Sequence, residues 1–389
     1  MNNIAARSHT ARLGQLGAVG ALAVAAMCVS PQGLSHASAA SYARPALAAP
    51  LRVVASSVLD ARGKTVVLGG IHRTGYTRAV GDDLNPVEAD AIARWSSMVR
   101  IETNASLVTD SCSGDPAAYL ARLDQAVSLL TTRNVVALID LHESDPRDCG
   151  RAHFLPLPAR AKAVAFWSTV ASRYASNPLV AFELWNEPHD ITDDVWLNGG
   201  VVTSPAAGTY DGAGMQELYD TVSQVTSSNL IFVEGNGAGS DPTAVNNTSF
   251  NVDRLRTVLA MHAYTCVQQA DTACINDPAK RQFPASTPGM AKWDTVARTR
   301  AVVVTETGFP DQHNATWFST AAQWSLQHTP AIGIVGFADD GKWNGSPFAI
   351  TTGAPSWSAN QTGQPLVDFM TQAGVAKYPV NPPVPLPGL

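Results

Sequence analysis

The sequence predicts an α/β fold, a (β/α)8 TIM barrel entered through a short N-terminal hairpin, and three observations carry the prediction. Eight short runs rich in Val, Ile, Leu and Ala recur along the chain, each nearly continuous rather than alternating, as strands buried on both faces of a parallel sheet require. Segments with apolar residues at three- and four-residue spacing separate them, as amphipathic helices would. Nearly every run ends on polar or charged residues, and in such barrels the carboxyl ends of the strands build the site.

In chain order, "VLDARGKTVVLGG" reads as a strand, a turn at Asp60 to Gly63 and a second strand, the entry hairpin. The eight barrel runs are "KTVVLGGIHR", "SSMVRIETN", "NVVALIDLHE", "LVAFELWNEP", "LIFVEGNGAG", "TVLAMHAYT", "AVVVTETGF" and "AIGIVGFADD". Among the intervening segments, "DPAAYLARLDQAVSLLTTR" offers Asp115 as N-cap and Pro116 at the first helical position. "PARAKAVAFWSTVASRYASN" and "MQELYDTVSQVTSS" carry the helical period. The weakest link follows the fifth run, where "SDPTAVNNTSFNVDRLR" offers at best a short helix. A doubly wound open sheet is the rival, but it wants a glycine-rich phosphate loop after the first strand, and "GGIHRTG" lacks the G-x-G-x-x-G spacing.

Residues 1–39 read as an export signal: Arg7 and Arg12 precede the apolar run "LGAVGALAVAAMCV", and Ala37 to Ala39 offer small residues for cleavage. An extracellular protein is expected, with no membrane partner once the signal is removed, because the run is short for a membrane span. Met27 sits where a lipid-anchored Cys28 would want a small residue. An Ala/Pro-rich linker covers 40–52, the barrel 53–377, and a Pro-rich tail 378–389. The net charge of −6, with Lys and Arg scattered singly, gives no basic stripe for nucleic acid. A monomer is expected.

Four cysteines remain after the signal, Cys112, Cys149, Cys266 and Cys274, and an even number in an exported chain favours disulfides. Three pairings are possible. Cys112 with Cys149 would link the loops after the second and third strands, and Cys266 with Cys274 would close a short loop after the sixth; this pairing is the one expected. No C-x-x-C spacing supports zinc.

The polar strand ends supply His72 and Arg73, Arg100 and Asn104, Asp140 with His142 and Glu143, Asn186 and Glu187, Glu234 and Asn236, His262 and Tyr264, Glu306, and Asp339 with Asp340. Any one of these is unremarked as a cap or a solvated charge. Jointly they matter, because Glu187 and Glu306 end the fourth and seventh runs and can point into one bowl. Two facing carboxyls are what glycoside hydrolysis needs: one stays protonated to donate to the leaving oxygen, and the other stays ionised.

"LWNEP" followed far downstream by "VTETG" resembles glycoside hydrolase family 5, the cellulase-type family of retaining (β/α)8 hydrolases. The resemblance implies that Glu187 is the acid/base and Glu306 the nucleophile, with Asn186 bonding a sugar hydroxyl. It further implies Arg100 of "MVRI" near the nucleophile, His142 of "DLH" on the floor of the sugar site, and His262 and Tyr264 of "HAY" at the cleavage subsite. The family's eighth strand usually ends with a Trp under the reacting sugar; here Phe337 or Trp343 of "GIVGFADDGKWN" takes that place. Trp185 reads as packing rather than a sugar platform.

The implied substrate is a polysaccharide or oligosaccharide, a β-glucan first, with a β-mannan or a small β-glycoside next, and no cofactor is implied. Two rivals differ in class. His72, His142, His262 and Asp339 could ligate a metal as in amidohydrolase-like barrels, but "IHRTG" lacks the H-x-H that reading wants. A carbohydrate-binding barrel without activity would have no need of both glutamates.

Overall fold

The structure, a computed structural model, describes residues 47–81, 83–110, 114–147, 153–266, 271–339, 348–353 and 356–374. The export signal, Cys28, Cys112, Cys149, Trp343 and the tail lie outside the described residues.

Eight strands close a barrel in which every neighbouring pair is parallel: β1 Gly70–Arg73, β2 Met98–Asn104, β3 Val136–Glu143, β4 Val180–Glu183, β5 Ile231–Glu234, β6 Thr257–Ala263, β7 Val302–Thr307 and β8 Gly333–Gly336. All eight carry at least one β-branched residue, and all are buried along their length apart from His142, which explains their near-continuous apolar reading.

Side chains alternate along each strand. Met98, Val136, Leu138, Ala181, Phe232, Val258, Ala260, Val303 and Val335 form the interior. Ile71, Val99, Ile101, Ala137, Ile139, Phe182 and Val304 face the helical shell. The lower mouth is closed by an antiparallel sheet of Arg52–Val54, Ser57–Leu59 and Thr65–Val66, whose Leu51, Val53 and Val58 join the interior cluster. Each such buried aliphatic stabilises the fold by roughly 1.5–3 kcal/mol, so the hairpin is a plug rather than an appendage.

Helices return the chain between strands. Pro116–Thr131 is capped as its sequence predicts, with Asp115 Oδ1 accepting from the Ala117 N–H at 2.9 Å. Two connections depart from a strict strand-helix repeat. After β4 the chain adds a hairpin, Gly199–Ser204 with Gly208–Ala213, before the helix Met215–Val225. Between β5 and β6 there is no α-helix; Asp241, Pro242, Asn246 and Asn247 favour turns, and turns carry the chain across. No helix among the described residues is long and apolar enough to cross a membrane.

Candidate active site

The alternation that fills the interior with apolar residues delivers polar ones a step higher. Met98 is followed on its face by Arg100 and Glu102, Ala181 by Glu183, Phe232 by Glu234, and Ala260 by His262. Strand β7 breaks the rule in a useful way. Val303 points inward while Val302 and Val304 face the helices, so simple alternation would turn Glu306 outward. The register between β6 and β7 passes from Met261 opposite Val304 to His262 opposite Glu306, leaving Thr305 as one extra residue. That bulge reverses the parity, and Glu306 enters the bowl.

Arg100, fully buried, is the hub. Its Nε donates to Glu183 at 2.5 Å, Nη1 to Glu306 Oε2 at 2.6 Å, and Nη2 to Asn186 Oδ1 at 2.8 Å. Asp140 and Glu234 lie 3.0 and 3.5 Å from Nη2. The guanidinium's planar fork suits this multiple pairing, and a buried charge is tolerated only when it is so paired.

Glu306 also accepts from the Tyr264 hydroxyl at 2.8 Å, and His72 Nδ1 lies 3.4 Å from its other oxygen. Burial would raise the Glu306 carboxyl, but the charges of His262, Arg100, His72 and His142 outweigh it and hold Glu306 well below the usual carboxylate range. His142 and His262 are pushed toward their cationic forms for a related reason. Burial disfavours their charge, yet Asp140 and Glu102 push His142 up to about 10, and Glu234, Glu306 and Glu187 push His262 up to about 9.

Glu187 lies beyond β4, in a segment still laddered to its neighbour through the Asn186 N–H donating to the Leu141 carbonyl at 3.1 Å. Its backbone is left-handed, with φ at 54°, a conformation uncommon outside glycine. The turn is held by Glu234, whose Oε2 accepts the Glu187 N–H at 2.9 Å, and by His189, whose ring Nδ1 donates to the Glu187 carbonyl at 2.6 Å. His262 bridges the two acids, with Nδ1 3.0 Å from Glu187 Oε1 and Nε2 3.2 Å from Glu234 Oε1. Burial first, and then the neighbouring Glu183 and Glu187, push the Glu234 carboxyl up against the pull of His262 and Arg100.

Glu187, His262 and Glu306 each present an atom within 4.8 Å of the others. They open onto a cleft of about 470 Å³ whose walls include His142, Asn186, Tyr264, Phe154, Phe337 and Phe348.

A family model described as cellulase, glycosyl hydrolase family 5, matches residues 59–337. The chain belongs to this family. Among curated family relatives, the manganese dependent endoglucanase Eg5A of Phanerodontia chrysosporium is 32% identical over 158 residues, covering 36% of this chain and 41% of that protein. The probable endo-beta-1,4-glucanase B of Aspergillus oryzae is 32% identical over 164 residues, covering 41% and 43%. The chain thus spans less than half the length of these relatives. Solved structures share the fold: the catalytic domain of the Thermobifida fusca endoglucanase Cel5A (TM-score 0.57, 18% identity, 83% of this chain and 97% of that one). The catalytic domain of the major endoglucanase of Xanthomonas campestris pv. campestris gives 0.60 at 21% identity, covering 82% and 99%.

Of the residues the family 5 resemblance picks out, Arg100, His142, Asn186, Glu187, His262, Tyr264, Glu306 and Phe337 gather at this one cleft, while Trp343 lies outside the described residues. Cys266 and Cys274 are joined in a disulfide. Trp185 is 1% exposed in the apolar core, as its packing reading requires. The four residues of the metal rival are not assembled: the Asp339 carboxylate accepts from Thr351 and faces Arg73 and joins none of the histidine clusters, while its backbone N–H donates to the His72 carbonyl at 2.9 Å.

His72, Glu102 and His142 do cluster, with Glu102 Oε2 3.3 and 4.0 Å from the two Nε2 atoms, a donor set of metal-ligand type. Arg100 Nη1 stands 2.9 Å from His72 Nδ1 and Asp140 2.7 Å from His142 Nδ1, so both rings are already oriented by protein partners.

Two residues went unassigned in the sequence. Glu234 was one polar strand end among many, and Glu183 hid inside "LVAFELW", where a carboxyl amid apolar neighbours was the available signal. Nothing in the sequence pointed to Phe154 or Phe348.

Proposed function

We propose that this chain is an exported, retaining β-glycan hydrolase acting first on β-1,4-glucans by double displacement. The observation that carries the reading is the close carboxyl pair in different hydrogen-bond settings: Glu306 between Arg100 and Tyr264, and Glu187 within 4.8 Å of it and bonded to His262. Retaining hydrolases hold their two carboxyl groups about 5–5.5 Å apart, whereas inverting ones need roughly 6.5–9.5 Å to admit a water.

In this reading Glu306 attacks the anomeric carbon as Glu187 protonates the departing oxygen, which leaves a glycosyl ester on Glu306. Glu187, now a carboxylate, takes a proton from water as that water attacks the anomeric carbon and breaks its bond to Glu306, so Glu306 leaves as a carboxylate and Glu187 is again protonated. Arg100 and Tyr264 fix the two oxygens of Glu306. Because Arg100 occupies Asn186 Oδ1, the amide Nδ2 is left as a donor for a sugar hydroxyl beside the reacting carbon. His142, oriented by Asp140, offers its other ring nitrogen to the same sugar, and Phe337 supplies an apolar face under it. No step requires a metal or cofactor.

The substrate preference follows the names of the relatives, endo-beta-1,4-glucanase among them. The test is a panel of β-glucans, mannans and aryl β-glycosides, with NMR of the first-formed sugar. Release of the β-anomer from a β-1,4-glucan is expected. An initial α-anomer overturns retention, mannan as the sole substrate overturns the glucan assignment, and no turnover of any glycoside favours a binding barrel.

A further inference from the structure

Phe154 is 71% exposed, and it is the one aromatic among the exposed large hydrophobic side chains of the described residues; the others are Val or Leu. It also lines the catalytic cleft, which none of those aliphatics does. Its backbone sits at φ 54°, in the left-handed region where a bulky residue needs a reason to be. A ring so exposed adds little to the core, so packing does not supply the reason.

The ring's position relative to the two acids is informative. Phe154 stands edge-on to His189, with centroids 6.1 Å apart, and His189 in turn is bonded to the Glu187 carbonyl. The opposite flank has its own aromatic: Phe337 stands 4.9 Å from His72, which faces Glu306. One apolar ring therefore belongs to the acid's side of the cleft and another to the nucleophile's side. A β-linked pyranose with equatorial hydroxyls presents faces of C–H groups, which pack on aromatic rings. The sugar that departs with the proton of Glu187 must lie on the acid's side.

We propose that Phe154 is the stacking platform for the leaving-group sugar, a β-linked pyranose bound immediately beyond the cleaved bond. This rests on the hydrolase reading above.

The experiment compares wild type, Phe154→Ala and Phe154→Trp on cellotetraose and on β-cellobiosyl fluoride, whose leaving group has no ring. Phe154→Ala should lower kcat/KM on cellotetraose by about 10- to 100-fold, chiefly through KM. The same variant should keep wild-type turnover of the fluoride and the wild-type melting temperature. Phe154→Trp should restore cellotetraose cleavage. Cellobiose added to the fluoride reaction should be transglycosylated by wild type and not by Phe154→Ala. An equal loss on both substrates, or no loss on cellotetraose, overturns the proposal while leaving the hydrolase reading intact. A wild-type chain inert toward both substrates overturns the two together.

Discussion

Replacing Glu234 by Ala removes the acceptor that holds the Glu187 N–H at 2.9 Å and the carboxyl that faces His262 Nε2 at 3.2 Å. Glu234 reaches Glu306 only through its longer contact with Arg100 Nη2 at 3.5 Å and through His262, so the damage should fall chiefly on the acid/base. A hydrogen bond of this kind, to a carboxyl partner, contributes about 1.5–3 kcal/mol. If that energy serves to position Glu187 in the transition state, its loss corresponds to roughly a 10- to 150-fold drop in kcat/KM. The drop should appear with alkyl or sugar leaving groups, which need a proton, and be nearly absent with 2,4-dinitrophenyl β-cellobioside, which does not. Glu234→Gln keeps an oxygen acceptor for the Glu187 N–H and should lose less than the Ala variant. The assay is the ratio of kcat/KM between the two leaving-group classes for each variant. Equal losses on both classes would refute the reasoning and make Glu234 a structural residue.

Three further outcomes are expected. Cys266→Ser with Cys274→Ser opens a loop whose ends are 8 residues apart, which on chain-entropy grounds costs about 2.5 kcal/mol; denaturant titration measures it, and an unchanged midpoint would contradict it. Stability should fall at both ends of the pH range. Glu102 is held at about 2, below the 4.5 of an ordinary glutamate, because the His72 hydrogen bond and the His142 charge outweigh its burial. A lowered carboxylate stabilises above its unfolded pKa and stops doing so as pH falls through its folded one, so the melting temperature should drop between pH 4.5 and 2. His142, raised from 6.5 to about 10, stabilises below its unfolded value and loses that contribution as pH rises from 6.5 through 10. Melting curves across pH check both limbs, and Glu102→Gln should flatten the acid one. Finally, EDTA should leave kcat unchanged, because Glu187 and Glu306 supply the chemistry; loss of activity restored by Mn²⁺ would point instead to the His72, Glu102 and His142 cluster.

The barrel was legible because its strands are buried on both faces, which writes them as unbroken apolar runs, and because polar residues mark where each run leaves the interior. The same rule failed where the chain used turns instead of repeats. "GGVVTSPAAGTYDGAG" forms a surface hairpin whose alternation is diluted by glycine, and "SDPTAVNNTSFN" crosses from β5 to β6 without a helix. At the site, Glu187 and Glu306 stood out by their neighbours, yet the Thr305 bulge that turns Glu306 inward leaves no mark in "VVVTETG" that periodicity could read. Glu234 is a similar case: its bond to the Glu187 backbone depends on a left-handed turn in another strand's extension, a relation between segments rather than a property of either.

The most direct test of the division of labour between Glu187 and Glu306 is azide rescue of the two alanine variants on 2,4-dinitrophenyl β-cellobioside. Glu306→Ala should be inert without azide and yield the α-glycosyl azide with it, because azide replaces the missing nucleophile. Glu187→Ala should still form the glycosyl ester from this activated substrate, stall at its hydrolysis, and yield the β-glycosyl azide. Exchanged products would reverse the two roles, and ordinary activity in both variants would place the chemistry outside this pair.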